Sequence, residues 1–136
     1  MKIKLEDGAF LPTRAHLRDA GLDIYAIKDG IVRAHSSAVF GTGVHIQLPP
    51  CTMGDMRPRS GLMFNQDIIS LGTIDETYDG EIRVKLFNFS GDDYEVKRGD
   101  RITQLVVVPI VLVEPEPVTD LETGERGGAG FGSTGR

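Results

Sequence analysis

Glycine and proline punctuate this chain every ten residues or so, seventeen and seven of them in 136 residues. The short runs between them are rich in β-branched residues, and helical periodicity is nearly absent. That pattern predicts an all-β sandwich or barrel. The clearest strand runs from Glu81 to Phe89. Ile82, Val84 and Leu86 alternate there with Arg83 and Lys85, so one row faces a core and the other faces water. Asp79-Gly80 just before it is a tight-turn signal. Val39 to Leu48 reads as a second strand, stopped by Pro49-Pro50. Arg101 to Val108 reads as a third, apolar enough to be expected buried on both faces. Leu62 to Gln66, after Ser60-Gly61, fits one short helical turn. No repeat has a solenoid period.

The length suits one domain with one core. Fifteen basic residues against twenty acidic ones leave a net charge of -5. A nucleic-acid or membrane-surface binder wants a basic face, so neither partner is expected; a small anionic ligand stays open. Cys51 is the single cysteine, which rules out an intrachain disulfide and fits a reducing, cytoplasmic setting. With no base near it in sequence, Cys51 reads as a structural or incidental thiol. Met1 to Asp7 lacks a long apolar stretch, so no signal peptide is expected. Leu105 to Val113 is too short to span a bilayer as a helix. His16, His35 and His45 have no metal-ligand spacing and read as surface or packing residues.

Five segments carry polar groups that strands do not need. In Ala20-Gly21-Leu22-Asp23-Ile24-Tyr25-Ala26, Asp23 sits among apolar residues, where an unpaired carboxylate is costly. It is either a turn aspartate bonding its own backbone or a carboxylate oriented towards a hydrated metal. In Arg59-Ser60-Gly61-Leu62, the serine before a helical turn is either an N-cap or part of an anion site. Gly72 to Glu81 reads as a hairpin loop with acidic decoration. As chemistry, it offers Asp75 as a general base on a water and Tyr78 as a plate for a sugar. Gly99 to Leu105 is a turn and strand in which Gln104 is the anomaly, since a buried amide needs partners. There Asp100 and Arg101 are expected to pair and pin the turn. The last segment, 124–136, is glycine-rich, with Arg126 and Phe131. It is either a flexible tail or an arm that orders around a phosphate.

Taken in order, the five segments resemble the five motifs of the trimeric dUTP diphosphatases, from about Ala20 to Gly135. The aspartate, tyrosine and Gly-Glu of the third and the Arg-Gly-x-x-Gly-Phe-Gly-Ser-Thr-Gly of the fifth carry the resemblance most specifically. It implies a distorted jelly-roll β-barrel over 1–123, homotrimeric, with 124–136 as an arm exchanged to close a shared site. The implied reaction is hydrolysis of dUTP to dUMP and pyrophosphate with Mg2+, which limits uracil in DNA and supplies dUMP for dTMP synthesis. Carried over by position, Asp75 activates the attacking water and Tyr78 lies under the deoxyribose. Gly72, Thr73 and Ile74 line the uracil hairpin. Arg59, Ser60, Gly61 and Gln104 hold phosphates. Arg83 joins the substrate-binding set, and Asp23 anchors water on the magnesium ion. Arg126 meets the γ-phosphate, and Phe131 stacks over the base.

Two positions depart from the family pattern. Some members carry an asparagine six residues before the catalytic aspartate to read uracil; here that position is Ile69, which has no amide. The stretch Ala15-His16-Leu17-Arg18-Asp19 lacks the small-residue run common there. Three rival readings stay in view: a dCTP deaminase of the same fold, a nucleotide-binding module without catalysis, and a purely structural jelly roll. The Asp75-to-Tyr78 spacing and the aromatic arm favour the diphosphatase.

Overall fold

The computed structural model describes residues 1–122 and 124. Among these are eleven strands and one helix. Two larger sheets hold the core. One is ordered β2 (Leu22–Tyr25), β11 (Arg101–Pro109), β6 (Thr52–Arg57) and β8 (Gly72–Ile74). The other is ordered β4 (Ser37–Gly41), β9 (Arg83–Asn88) and β7 (Ile68–Ser70). Two ribbons complete the barrel: β1 (Lys2–Leu5) with β5 (Val44–Gln47), and β3 (Gly30–Val32) with β10 (Tyr94–Val96). Every pairing is antiparallel. The architecture is all-β, as the punctuation implied, and of the jelly-roll-like barrel kind that the family resemblance implied.

Alternation decides what faces inward. Ile82, Val84 and Leu86 are buried while Arg83 and Lys85 are exposed, as the sequence pattern required. Across the ladder, Phe40 opposes Val84 and Ala38 opposes Leu86, which extends the same inward row. Ile24, Val32, Val44, Ile46, Met56, Ile68, Val96, Ile102 and Leu105 close the core from the other strands. Each fully buried aliphatic side chain contributes about 1.5–3 kcal/mol. Buried polar groups are paired. Ser70 and Thr103 share a 2.7 Å hydroxyl contact, and Thr103 Oγ1 also donates to the Arg57 carbonyl. Asn88 donates to the Val32 and Asp92 carbonyls and accepts from Ser90.

Three expectations need correction. Val39 to Leu48 is two strands, broken at Thr42-Gly43. The Glu81 carboxylate accepts from both of those backbone N–H groups at 3.0 Å, so the ladder yields to a side chain. The third strand is not doubly buried throughout, because Val106 to Val108 are only half-buried. Its consecutive buried residues, Ile102 and Thr103, mark a bulge in the β2–β11 ladder. Gly72 to Glu81 is not a closed hairpin. β7 and β9 pair as the base of one, but at Leu71 the chain leaves, and β8 pairs with β6 instead.

Candidate active site

The polar residues singled out by sequence gather in two clefts. The first, of about 270 Å³, is lined by Ala15, Asp19, Ala20, Gly21, Asp23, Arg59, Ser60 and Gln104. Asp23 and Gln104 are direct cross-strand partners, and Arg57 faces Gln104 from the other side. These three residues therefore form one row on the face opposite the Leu105 and Met56 core row. Asp23 is neither in a turn nor free. Its Oδ1 accepts from Arg59 Nε at 2.8 Å and its Oδ2 from an Arg101 guanidinium nitrogen at 3.1 Å. Counting back by alternation from Leu105 would put Arg101 on the inner face. The bulge at Ile102 turns it outward, which is why it pairs with Asp23 and not with Asp100. Asp100 instead accepts from the Lys97 N–H and closes the turn alone. Two guanidinium groups offset the Asp23 carboxylate, but Asp19 also lines the cleft, so an anion would be held there by directed N–H donors and not by a net positive charge.

Ser60 is the first residue of the helix α1 (Ser60–Gln66), not its cap. Arg59 occupies the cap position with extended backbone, and no side-chain oxygen closes that end. The Ser60 hydroxyl is therefore not committed to capping. Gly61 next to it has open space on its side-chain side. Gln104 has its partner: Nε2 donates to the Pro58 carbonyl at 3.0 Å. A Cβ at position 21 would lie 2.2 Å from Gln104 Oε1 and 2.9 Å from its Cβ, so only glycine lets this amide stand in the cleft.

The second cleft, of about 250 Å³, is lined by Thr73, Ile74, Asp75, Tyr78, Glu81 and Arg83. It is the opening left where β8 departs from β9. β8 is the edge of its sheet, and β9 is paired to β7 only from Leu86 onward. Thr73 and Ile74 of β8 and Arg83 of β9 line this cleft, while Gly72, at the start of β8, is not among its lining residues. Asp75 is exposed and begins a turn in which the Tyr78 N–H bonds the Asp75 carbonyl at 3.0 Å. The Tyr78 hydroxyl donates to the Glu81 carbonyl at 2.9 Å, which folds the ring back over the turn. A Cβ at position 80 would lie 2.5 Å from that hydroxyl, so Gly80 is what permits the fold. Glu81 was not singled out by role from sequence, yet it ties this slot to the Thr42-Gly43 break.

The two clefts share no lining residue within one chain. Ile69 lies in neither; it sits in β7 opposite Phe87, at the closed base of the hairpin. Arg126 and Phe131 lie outside the described residues. Among the described residues no group of three His, Cys, Asp or Glu side chains could hold a metal. Asp23, with both oxygens already bonded, suits an outer contact to a hydrated ion and not a place in a ligand cage. No helix among the described residues is long and apolar enough to cross a membrane.

Fold and clefts together define a jelly-roll-like barrel with one polar cleft around Asp23, Arg59 and Gln104 and, apart from it, a second between β8 and β9 that holds Asp75 and Tyr78. Comparison with known proteins agrees on one family. The dUTPase family profile matches residues 7–135. A deoxyuridine 5'-triphosphate nucleotidohydrolase of Clostridium acetobutylicum is 43% identical, over 97% of this chain and 93% of its own. The mitochondrial human protein of that name is also 43% identical, over 98% of this chain and 53% of its own. A solved structure of Staphylococcus bacteriophage 80alpha dUTPase with dUPNHPP superposes with a TM-score of 0.92 at 28% identity, covering 99% of this chain and 98% of the other. A phage phi11 dUTPase variant described with a structural Mg(II) ion gives a TM-score of 0.83 at 25% identity, covering 90% of this chain and 98% of the other. The chain belongs to the dUTPase family, and with it to the hydrolases of nucleotide metabolism.

Proposed function

We propose that this chain hydrolyses dUTP to dUMP and pyrophosphate at a site assembled from more than one copy. One observation carries the reading: the phosphate-type residues and the base-type residues form two separate clefts on a single chain. Neither cleft alone holds both a water-activating carboxylate and an anion cradle. Bringing the Thr73–Arg83 slot of one copy against the Asp23–Gln104 cleft of another completes the set, and a homotrimer places three such sites.

In that site Arg59, the Ser60 hydroxyl, the Gly61 backbone and Gln104 bind the triphosphate oxygens. Uracil enters the slot between β8 and β9. There the main chain of Gly72, Thr73 and Ile74 reads its edge, so the missing amide at Ile69 costs nothing essential. Tyr78 packs under the deoxyribose and leaves no room for a ribose 2′-hydroxyl. Arg83 stands at the mouth of the slot. The Asp75 carboxylate takes a proton from water as the water oxygen bonds to the α-phosphorus. The bond from that phosphorus to its bridging oxygen breaks, and pyrophosphate leaves with the electron pair. Mg2+, when bound, neutralises and aligns the triphosphate, and Asp23 would hold water on it. The 124–136 arm closes last, Arg126 on the γ-phosphate and Phe131 over the base. In the cell the reaction keeps uracil out of DNA and supplies dUMP for dTMP, in the cytoplasm or, for a viral source, the host cell.

Release of pyrophosphate from dUTP, set beside dCTP, dTTP and UTP, tests the activity. Ammonia from dCTP without pyrophosphate from dUTP would replace it with the deaminase reading.

A further inference from the structure

The turn that carries Asp75 and Tyr78 is held from a direction that the reaction does not require. His45, on β5, lies with only 18% of its side chain exposed. Its Nδ1 is 2.9 Å from the Asp79 carbonyl and its Nε2 is 2.9 Å from Glu6 Oε1. A carbonyl can only accept, and so can a carboxylate. A neutral imidazole has one N–H and can satisfy one of the two; the imidazolium satisfies both. The Glu6 backbone is itself tied to the ribbon, because its N–H bonds the Gly43 carbonyl at 2.8 Å. The histidine therefore links the β1–β5 ribbon to the end of the turn, one residue beyond Tyr78.

We propose that His45 is a positioning residue for the Asp75–Tyr78 turn and that it works as the doubly protonated imidazolium. This rests on the reading of that turn as the element that activates water and packs the sugar. The charges around the ring are mixed. Glu6 favours the proton, and Lys4, directly across on β1, opposes it. Lys2, Glu76 and Asp79 line the same cavity. The Asp79 carbonyl, followed by Glu6, raises the pKa above the ordinary 6.5, against a smaller lowering by burial and Lys4. A raised value means that the folded state holds the proton more tightly. The clamp is complete below about pH 6.5 and is lost as the pH rises through the raised value.

The test compares kcat/KM for dUTP against pH in the wild type, His45→Gln and Glu6→Gln. It adds amide exchange of Tyr78, which needs no turnover. The ratio of wild type to His45→Gln is expected to be about fivefold at about pH 6, the loss of one hydrogen bond, and to approach one at high pH. Glu6→Gln should move the alkaline fall to lower pH. Protection of the Tyr78 amide, relative to its intrinsic exchange rate, should fall over the same range in the wild type and show no such step in His45→Gln. A constant ratio, or an unchanged step in His45→Gln, would overturn the proposal. Undiminished turnover in Asp75→Asn would instead sink the reading of the turn, and with it the catalytic half of the claim. The exchange data would still decide whether His45 holds the turn.

Discussion

The two clefts are built from opposite materials. Around Asp23 the organisation lies in side chains: one shielded carboxylate, two guanidinium groups and an amide fixed to a carbonyl. Between β8 and β9 it lies in the backbone, a slot made by a strand that changes sheets, with Asp75 and Tyr78 exposed at its rim. Fixed charges suit a ligand part whose charge is large and whose shape is loose. Main-chain groups suit a flat part that must be told from near copies. Side-chain pairs can be traded, whereas a slot made by strand divergence depends on clearance.

The largest effect should come from the rim of the slot. Asp75→Asn is expected to lower kcat by about 10²–10⁴-fold while a non-hydrolysable dUTP analogue still binds, as calorimetry would record. Next, Gly21→Ala and Gly80→Ala should separate the halves. Each forces a rigid neighbour aside, Gln104 or the Tyr78 ring, and should weaken dUTP about tenfold, the cost of modest overpacking. Only Gly80→Ala should weaken dUMP as well, because dUMP carries the base and sugar but not the outer phosphates. Equal losses of dUMP in both variants would erase the distinction. Asp23→Asn should cost about 1–3 kcal/mol of stability by urea unfolding, since two partly exposed arginines lose a charged acceptor. The arm should act on binding alone, on the same scale: Phe131→Ala is expected to lose roughly 1–3 kcal/mol of base stacking, read as a rise in KM with little change in stability.

Most of the barrel was legible because alternation is a local property. Ile82, Val84 and Leu86 announce a buried row before any partner strand is known. The residue types at the site were legible too: Asp23, Ser60, Gln104, Asp75 and Tyr78 stand out against strands that do not need them. Their partners were not. Arg101 looked like a neighbour for Asp100 because sequence shows adjacency and hides the bulge that reverses which face Arg101 occupies. Ser60 looked like a cap because a helix start is set by backbone angles that one residue either way leaves open. The slot was invisible as a slot, since only exposed Leu71 separates β7 from β8 and nothing in Ile68 to Ile74 states that the two pair with different strands. Glu81 and His45 act on segments about forty and thirty-four residues away in sequence, through contacts that the fold alone brings about.

Complementation between two disabled chains probes the joined-cleft claim most directly. Asp75→Asn spoils the slot and Arg59→Ala spoils the anion cleft, and each pure variant should be nearly inactive. Refolded together in equal amounts, they should regain about a quarter of wild-type turnover, because random assembly pairs an intact slot with an intact cleft that often. A mixture no more active than its parts would mean that each chain carries its whole site, which contradicts a site shared between copies.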